Sequence, residues 1–255
     1  MVSLNAITTF LDNYLMLDNI EDASYNGLQV EGKQKVSTIL LAVDAGIETF
    51  LTSVAKGADM IILHHGLFWQ GVNPCVKGSM KDRLKILLEN DISLYTAHLP
   101  LDCHEQIGHN AEFLHQLGAK KQHGFYSHQG KDIGWIGTYP QPRTQQQVLE
   151  EVADVLKISQ QQIHSLFFGT DAISKIAVCC GAAGRKGFLE AKDAGADLYI
   201  TGEPTEIYHD AKDAGMNVLF TGHHASETLG LKALAVLLDK KFDIHCKFID
   251  IPTGL

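Results

Sequence analysis

Three short stretches of this chain carry side chains able to hold a metal. Residues 59–69 read DMIILHHGLFW, residues 93–102 read SLYTAHLPLD, and residues 218–227 read VLFTGHHASE. Each apolar run stops at a histidine: His64 with His65, His98, and His223. With 13 histidines in 255 residues, about one adjacent pair is expected by chance, so His64-His65 alone decides nothing. Taken singly, each histidine also fits a hydrogen-bonded rim residue. Asp102 also fits a helix cap, and Glu227 a first-turn acid that favours the helix dipole. Together they say more. His223 and Glu227 are four residues apart, so a helix starting near Gly222 puts both on one face. Imidazole plus carboxylate without thiolate suits Zn, Fe, Mn, Co or Ni better than Ca or Mg. His64, His65, Asp102, His223 and Glu227 are too many for one catalytic zinc with an open position, which typically takes three protein ligands. They suit two divalent ions sharing a carboxylate. Such a site would stay positive, attract an anionic substrate such as a phosphoester or nucleotide, and activate water.

The elements that must position these residues alternate along the chain. Helical spacing covers residues 4–15, with Ser3 as N-cap. A buried strand follows at 37–43, a helix at 46–57 closed by Gly57, a strand at 60–63, a helix at 80–89 and a strand at 92–97. This βαβαβ order calls for a parallel sheet covered on both faces. In such sheets ligands bind beyond the carboxyl ends of the strands, where His64, His65, His98 and His223 fall. The second half repeats the first. Ser37-Thr38-Ile39 matches Ser174-Lys175-Ile176, and Gly57-Ala58-Asp59 matches Gly195-Ala196-Asp197. Residues 93–102 match 218–227, with Leu94 on Leu219, Thr96 on Thr221, His98 on His223 and Asp102 on Glu227. The order predicts a duplicated α/β unit: two related α/β domains with mostly parallel sheets and the metal site in the cleft between them. The polar stretch 122–131 marks the boundary, giving domains 1–125 and 126–255. The C-terminal strand, 243–250, has the option of returning to the first domain. Pro140-Gln141-Pro142 reads as a turn after a strand at 132–139, and Thr144 to Gln147 as a capping box opening a helix.

Bulk properties limit the partners. Net charge is −9, which argues against salt-driven binding to nucleic acid and against docking on an anionic membrane. No apolar run approaches the ~20 residues a membrane span needs. The N-terminal segment has no Lys or Arg before Lys33, unlike a signal or transit peptide. Five cysteines without a CxxC spacing fit reduced thiols in a cytoplasmic protein, not a disulfide framework or thiolate zinc site.

At these residues the sequence resembles the dinuclear metal-centre proteins, the YbgI-like group of GTP cyclohydrolase 1 type 2 homologues. The resemblance is carried by Asn26-Gly27-Leu28-Gln29-Val30, His64-His65-Gly66, His98-Leu99-Pro100-Leu101-Asp102, Ile200-Thr201-Gly202-Glu203, Gly222-His223-His224 with Glu227, and Phe248-Ile249-Asp250-Ile251-Pro252. It implies a two-domain subunit, a dinuclear site between the domains and a ring-shaped homohexamer. It also implies the ligands His64, His65, Asp102, His223 and Glu227, with His98 as a neighbouring or catalytic group. Glu203 joins His98 as a proton shuttle, because its strand end occupies the repeat position of His64-His65. The expected function is a metal-dependent hydrolase of an anionic or nucleotide-like substrate. The alternative is a non-catalytic metal binder or ring scaffold.

Other features have two readings each. Residues 180–187, CGAAGRKG, could cradle a phosphate with Arg185 and Lys186, or form a tight strand-to-helix turn. Without GK[ST] they are no Walker A loop. Phe68-Trp69 could stack on a substrate ring or lie at a subunit contact, the favoured reading. His109, His115, His123, His128 and His164 lie in polar contexts and read as surface residues.

Overall fold

A computed structural model describes all 255 residues. They form two compact units: Met1–Leu101 with Leu231–Ile251, and Asp102–Gly230 with Pro252–Leu255. The first contains β1 (Val2–Ser3), α1 (Leu4–Tyr14), β2 (Gly27–Val30), β3 (Lys35–Val36), β4 (Thr38–Asp44), α2 (Ile47–Ala55), β5 (Met60–His65), α3 (Ser79–Glu89) and β6 (Ser93–Thr96). The short helix α4 (Leu99–Asp102) then leads to α5 (His109–Gln116), β7 (Lys120–His128), β8 (Lys131–Arg143), α6 (Gln145–Leu156), β9 (His164–Leu166), β10 (Ile173–Cys179) and α7 (Gly184–Asp193). Next come β11 (Leu198–Thr201), α8 (Tyr208–Ala214), β12 (Asn217–Phe220), α9 (His223–Ser226), α10 (Leu229–Phe242) and β13 (His245–Phe248).

The first unit's main sheet has the order β13-β4-β5-β6-β2. Its first four strands run parallel and β2 runs antiparallel at one edge. The C-terminal strand therefore does return to the first unit's sheet. Leu40, Ala42, Ile61, Leu63 and Leu94 of the central strands share a core with Phe50 and Leu87 from the covering helices. Ser3 caps α1 through its hydroxyl, as its residue type predicts.

The second unit's sheet has the order β7-β8-β10-β11-β12-β9. Only β10, β11 and β12 are parallel neighbours; the flanking pairs are antiparallel. This sheet is mixed rather than mostly parallel, because a hairpin extends one side and β9 closes the other. The hairpin is β7–β8, and it occupies the polar stretch read as a boundary. Gln129 and Gly130 both take positive φ at its tip, 49° and 83°, as a tight hairpin turn requires. Pro140-Gln141-Pro142 lies inside β8 rather than in a turn. The β8–β10 ladder shifts register between Ile173 and Lys175, so these residues sit at an irregularity where prolines are tolerated. The capping box of α6 is complete, with both the Thr144 and Gln147 side chains bonded.

The duplicated pattern has one physical cause visible in both units. Asp59 accepts hydrogen bonds from Ser37 N, Ser37 Oγ and Thr38 N. Asp197 accepts from Ser174 N and Lys175 N. Each aspartate of a Gly-Ala-Asp triplet thus ties the start of its own strand to the start of the neighbouring parallel strand. Strand starts are thereby locked, and strand ends, where the histidines sit, are placed in turn.

Candidate metal centre

In the first unit, β5 ends on His64 and His65, and His98 follows β6. Ligand atoms of the three imidazoles lie within 4.8 Å of one another. His98, expected beside the ligand set, is thus close enough to His64 and His65 to share an ion with them. Each ring is held through Nδ1. His64 Nδ1 bonds to the Ala97 carbonyl at 2.9 Å, His65 Nδ1 to Asp44 Oδ1 at 2.8 Å, and His98 Nδ1 to Asp22 Oδ1 at 2.9 Å. A carbonyl or carboxylate can only accept, so in each neutral ring the proton sits on Nδ1 and the Nε2 lone pair is available. This is the arrangement that fixes metal-binding histidines.

Asp22 is the anchor of that group. It accepts from Ser24 N, Asn26 Nδ2 and Leu99 N as well as His98. Burial raises its pKa, but the His98 bond and charge with the Asn26 and Ser24 bonds outweigh it, bringing it down to about 2. It is therefore an anion at any pH where the protein functions. The Asn-Gly-Leu-Gln-Val segment serves the same end. Asn26 Oδ1 accepts from His98 N at 2.7 Å, and Gln29 Oε1 accepts from Leu67 N at 2.8 Å, just past His64-His65-Gly66. Gly66 is required because a Cβ there would strike Thr96 Oγ1 and the Gln29 amide. Phe68 packs on its own unit's core. Trp69 stands edge-on to His98, centroids 5.0 Å apart, and donates Nε1–H to the Gly66 carbonyl. Both contacts lie within the subunit.

In the second unit, α9 starts at His223 and delivers it with Glu227. His223 Nε2 is 3.1 Å from Glu227 Oε2, and Nδ1 is 2.7 Å from Glu203 Oε1. Glu203 thus does for His223 what Asp44 does for His65. Burial lowers the His223 pKa, but Glu227 and Glu203 outweigh it and raise it to about 9. Such a cation between two carboxylates marks a place where a divalent ion can replace a proton.

The glycine-rich loop packs against this group. Gly181 has φ +67°, and a Cβ there would collide with Glu227 Oε1. Its carbonyl accepts from Gly202 N and Glu203 N, and its N–H donates to Ser226 Oγ. Arg185 is committed to Asp210 through two bonds, and Lys186 to the Ser127 carbonyl and Glu190. The loop is therefore a turn that seats Glu203, Ser226 and Glu227, and its cations already have partners.

Asp102, the last residue of α4, is 4% exposed. Its carbonyl accepts from Asn110 Nδ2, whose amide also bonds Ile133 O and Cys180 N. His109, read from sequence as a surface residue, is fully buried. The polar context of residues 104–110 misled that reading: Glu105 and Gln106 are exposed, but His104 and Asn110 beside His109 are buried and bonded. A ligand atom of His109 lies within 4.8 Å of one from Asp102, but its tautomer argues against coordination. Gly230 N–H donates to His109 Nδ1 at 3.1 Å, so the neutral ring carries its proton on Nε2 and is a donor there. Cys179 and Cys180 are not ligands in waiting either. Burial, and the Asp102 and Glu227 carboxylates, push both thiols well up, so they stay protonated.

Sequence reasoning missed Asp22, Asp44 and His109. Asp44 carried a signal, since it ends β4 as His65 ends β5 and the two are paired in register. Asp22 carried none, lying in an irregular loop.

The chain matches a family model, Duf34/NIF3 (NGG1p interacting factor 3), over residues 2–254. It is 42% identical over 250 residues to a GTP cyclohydrolase 1 type 2 homolog of Pyrococcus abyssi, covering 98% of each chain. It is 38% identical over 255 residues to one of Archaeoglobus fulgidus, covering both completely. Among solved structures it is similar to protein ybgI, of unknown function, with TM-score 0.92 and 33% identity over the whole of both chains. It is also similar to TTHA1606 from Thermus thermophilus, with TM-score 0.86 and 35% identity over the whole of both chains. No helix is long and apolar enough to cross a membrane.

Proposed function

The chain belongs to the Duf34/NIF3 family, and on that basis we propose that it is a hydrolase using two divalent transition-metal ions on a small anionic, nucleotide-like substrate. The observation that carries the reading is the common state of His64, His65, His98 and His223: an acceptor on Nδ1 in each. Exposed His123 also bonds a carbonyl through Nδ1, but it lies alone, whereas these four stand at strand ends beside further ligand groups. The donor set fits the ions, since imidazole and carboxylate without thiolate suit Zn, Fe, Mn, Co or Ni. His64, His65, Asp102, His223 and Glu227 are the residues that would hold them. When bound, two such ions lower the pKa of water and neutralise charge on the attacked group.

The chain's own residues do the rest. Asp22 and Asn26 fix the His98 ring and backbone, so His98 Nε2 meets a proton in one orientation. Glu203, half exposed and bonded to His223 Nδ1, takes protons from or gives them to solvent. As the family resemblance implies, the subunits assemble as a homohexamer.

Elemental analysis of chelator-free protein tests this reading. About two ions per subunit in the wild type, and a loss in His64→Ala with unchanged circular dichroism, are expected. Asp102→Asn should then lack turnover in a nucleotide and phosphoester screen while staying folded. No metal uptake by the wild type, even with Zn or Mn supplied, leaves a scaffold role and ends the hydrolase reading.

A further inference from the structure

A cavity of 470 Å³ lies in the first unit where the end of α1, the segment after it and the start of β2 meet. Its wall includes Asp12, Leu17, Asp18, Ser24, Tyr25 and Gly27. Leu11 is fully buried, and Asp12 beside it is exposed. Met16, at φ 52°, reverses the chain after α1, and Leu17 and Asp18 open a short turn. Gly27, at φ +97°, brings the backbone close: a Cβ there would stand 3.6 Å from Leu17 Cδ1 and 4.0 Å from Asp12 Oδ1. Apolar and charged groups therefore lie side by side over this glycine.

The wall is short of hydrogen-bond donors. Buried Tyr95 donates its hydroxyl to Asp12 Oδ1 at 2.8 Å. Burial and the Asp12 charge push the Tyr95 pKa up, so that proton stays in place and one oxygen of Asp12 remains open. Asp18 is exposed and makes neither a hydrogen bond nor an ion pair. Ser24 is 4% exposed, and its Oγ has no hydrogen-bond partner. A buried hydroxyl left unpaired is costly, and in a cavity wall it marks a place for an occupant. Asp22 is in the same wall, but its oxygens are taken by His98, Ser24 N, Asn26 and Leu99 N. It adds negative charge without offering a further contact.

Two carboxylates without a cation attract one, and the other groups select its kind. A primary ammonium has three N–H donors, which match acceptors on Asp12, Asp18 and Ser24. Calcium takes about six to eight oxygens, more than these three side chains supply. Leu17 and Leu28 offer an apolar strip for a hydrocarbon stem. Tyr25, 56% exposed, offers a ring face to a cation. The volume is in the range of small-molecule sites.

We propose that this cavity binds a small primary alkylammonium, its head bonded by Asp12, Asp18 and Ser24 and its stem lying on Leu17 and Leu28. The site stands independently of the hydrolase reading, because none of these residues is a candidate metal ligand.

Saturation-transfer difference NMR on the full chain tests it, with butylamine, butylguanidine, butanol and butyrate at one low ionic strength. Butylamine should bind with a dissociation constant of about 1 mM or below. Butanol keeps the stem and butyrate reverses the charge, so both should bind at least tenfold more weakly. Asp18→Asn should weaken butylamine by about three- to tenfold. Ser24→Ala should weaken it by about threefold while the thermal midpoint stays or rises, because Oγ has no partner to lose. Nα-acetyl-lysinamide separates two sources of the same head group. Binding equal to that of butylamine identifies a lysine side chain of a peptide, and its loss identifies a free amine; either keeps the site. Butanol binding as well as butylamine, no butylamine binding at about 10 mM, or unchanged affinity in both variants overturns the assignment. Butylguanidine binding more tightly than butylamine, or calcium displacing butylamine at micromolar concentration, overturns it as well.

Discussion

A histidine becomes a dependable ligand when its far nitrogen is occupied, and here the occupants differ in kind. His64 uses a backbone carbonyl, which no substitution of a side chain removes directly. His65, His98 and His223 use the carboxylates of Asp44, Asp22 and Glu203. These three are separable by mutation. Asp44→Asn keeps the shape but can present an amide N–H to His65 Nδ1, which disfavours the tautomer with a free Nε2. Losses of about 10–100-fold in metal affinity are typical for such outer partners, and that range is expected in a chelator-competition titration. His65→Ala should lose more, because the ligand itself goes. An Asp44→Asn affinity equal to wild type would show that the carboxylate plays no part in orienting the ring.

Elements carry these side chains to their places, and two residues show how. Asp59 locks the starts of β4 and β5 through three bonds from Ser37 and Thr38 and an ion pair with Lys33. Burial would raise its pKa, but the Ser37, Lys33 and Thr38 bonds outweigh it and hold it below the ordinary value of 3.8. A carboxylate lowered on folding contributes stability that is present above its unfolded pKa and lost as pH falls through the folded one. Asp59→Ala should therefore destabilise the protein by about 2–4 kcal/mol in urea unfolding at pH 7, and by progressively less below pH 4. Gly181 acts at the other end of a strand. Gly181→Ala adds the strain of positive φ, about 1 kcal/mol, and pushes Glu227 aside. Metal content should fall while the thermal midpoint moves by only a few degrees; an unchanged metal content would mean the loop yields easily. These cases also mark what was legible. Strand ends bearing His64, His65, His98 and His223 were readable because a parallel sheet gathers ligands there. The repeat was readable because Asp59 and Asp197 do one job twice. The β7–β8 hairpin was not, since its polar residues look like a linker until both strands are paired. Nor was the buried state of His109, which depends on Gly230, far away in sequence.

The whole molecule is acidic, with net charge −9, and its candidate ligand groups are acidic too. Asp22 and Asp44 stand beside the histidines of the first unit, and Glu203 and Glu227 beside His223 in the second. Without metal this arrangement repels anions, and His223, held between Glu203 and Glu227, offers a compensating charge. Two divalent ions, as the proposed reading has them, would reverse the local sign. The reversal is confined to the site, because interactions between exposed charges are screened beyond about 8 Å at physiological salt. Two consequences diverge. Inorganic phosphate should bind the metal-loaded protein and lose at least tenfold in affinity after chelation, measured by calorimetry at constant pH; this is the focusing of field by a charged cleft. Duplex DNA or RNA should show no anisotropy change with either form at about 50 mM salt, since a polyanion needs an extended basic face and counterion release along it. Phosphate affinity indifferent to chelation would mean that a side-chain cluster, not the metal, attracts the anion. Arg185 would then be the first residue to remove, despite its commitment to Asp210.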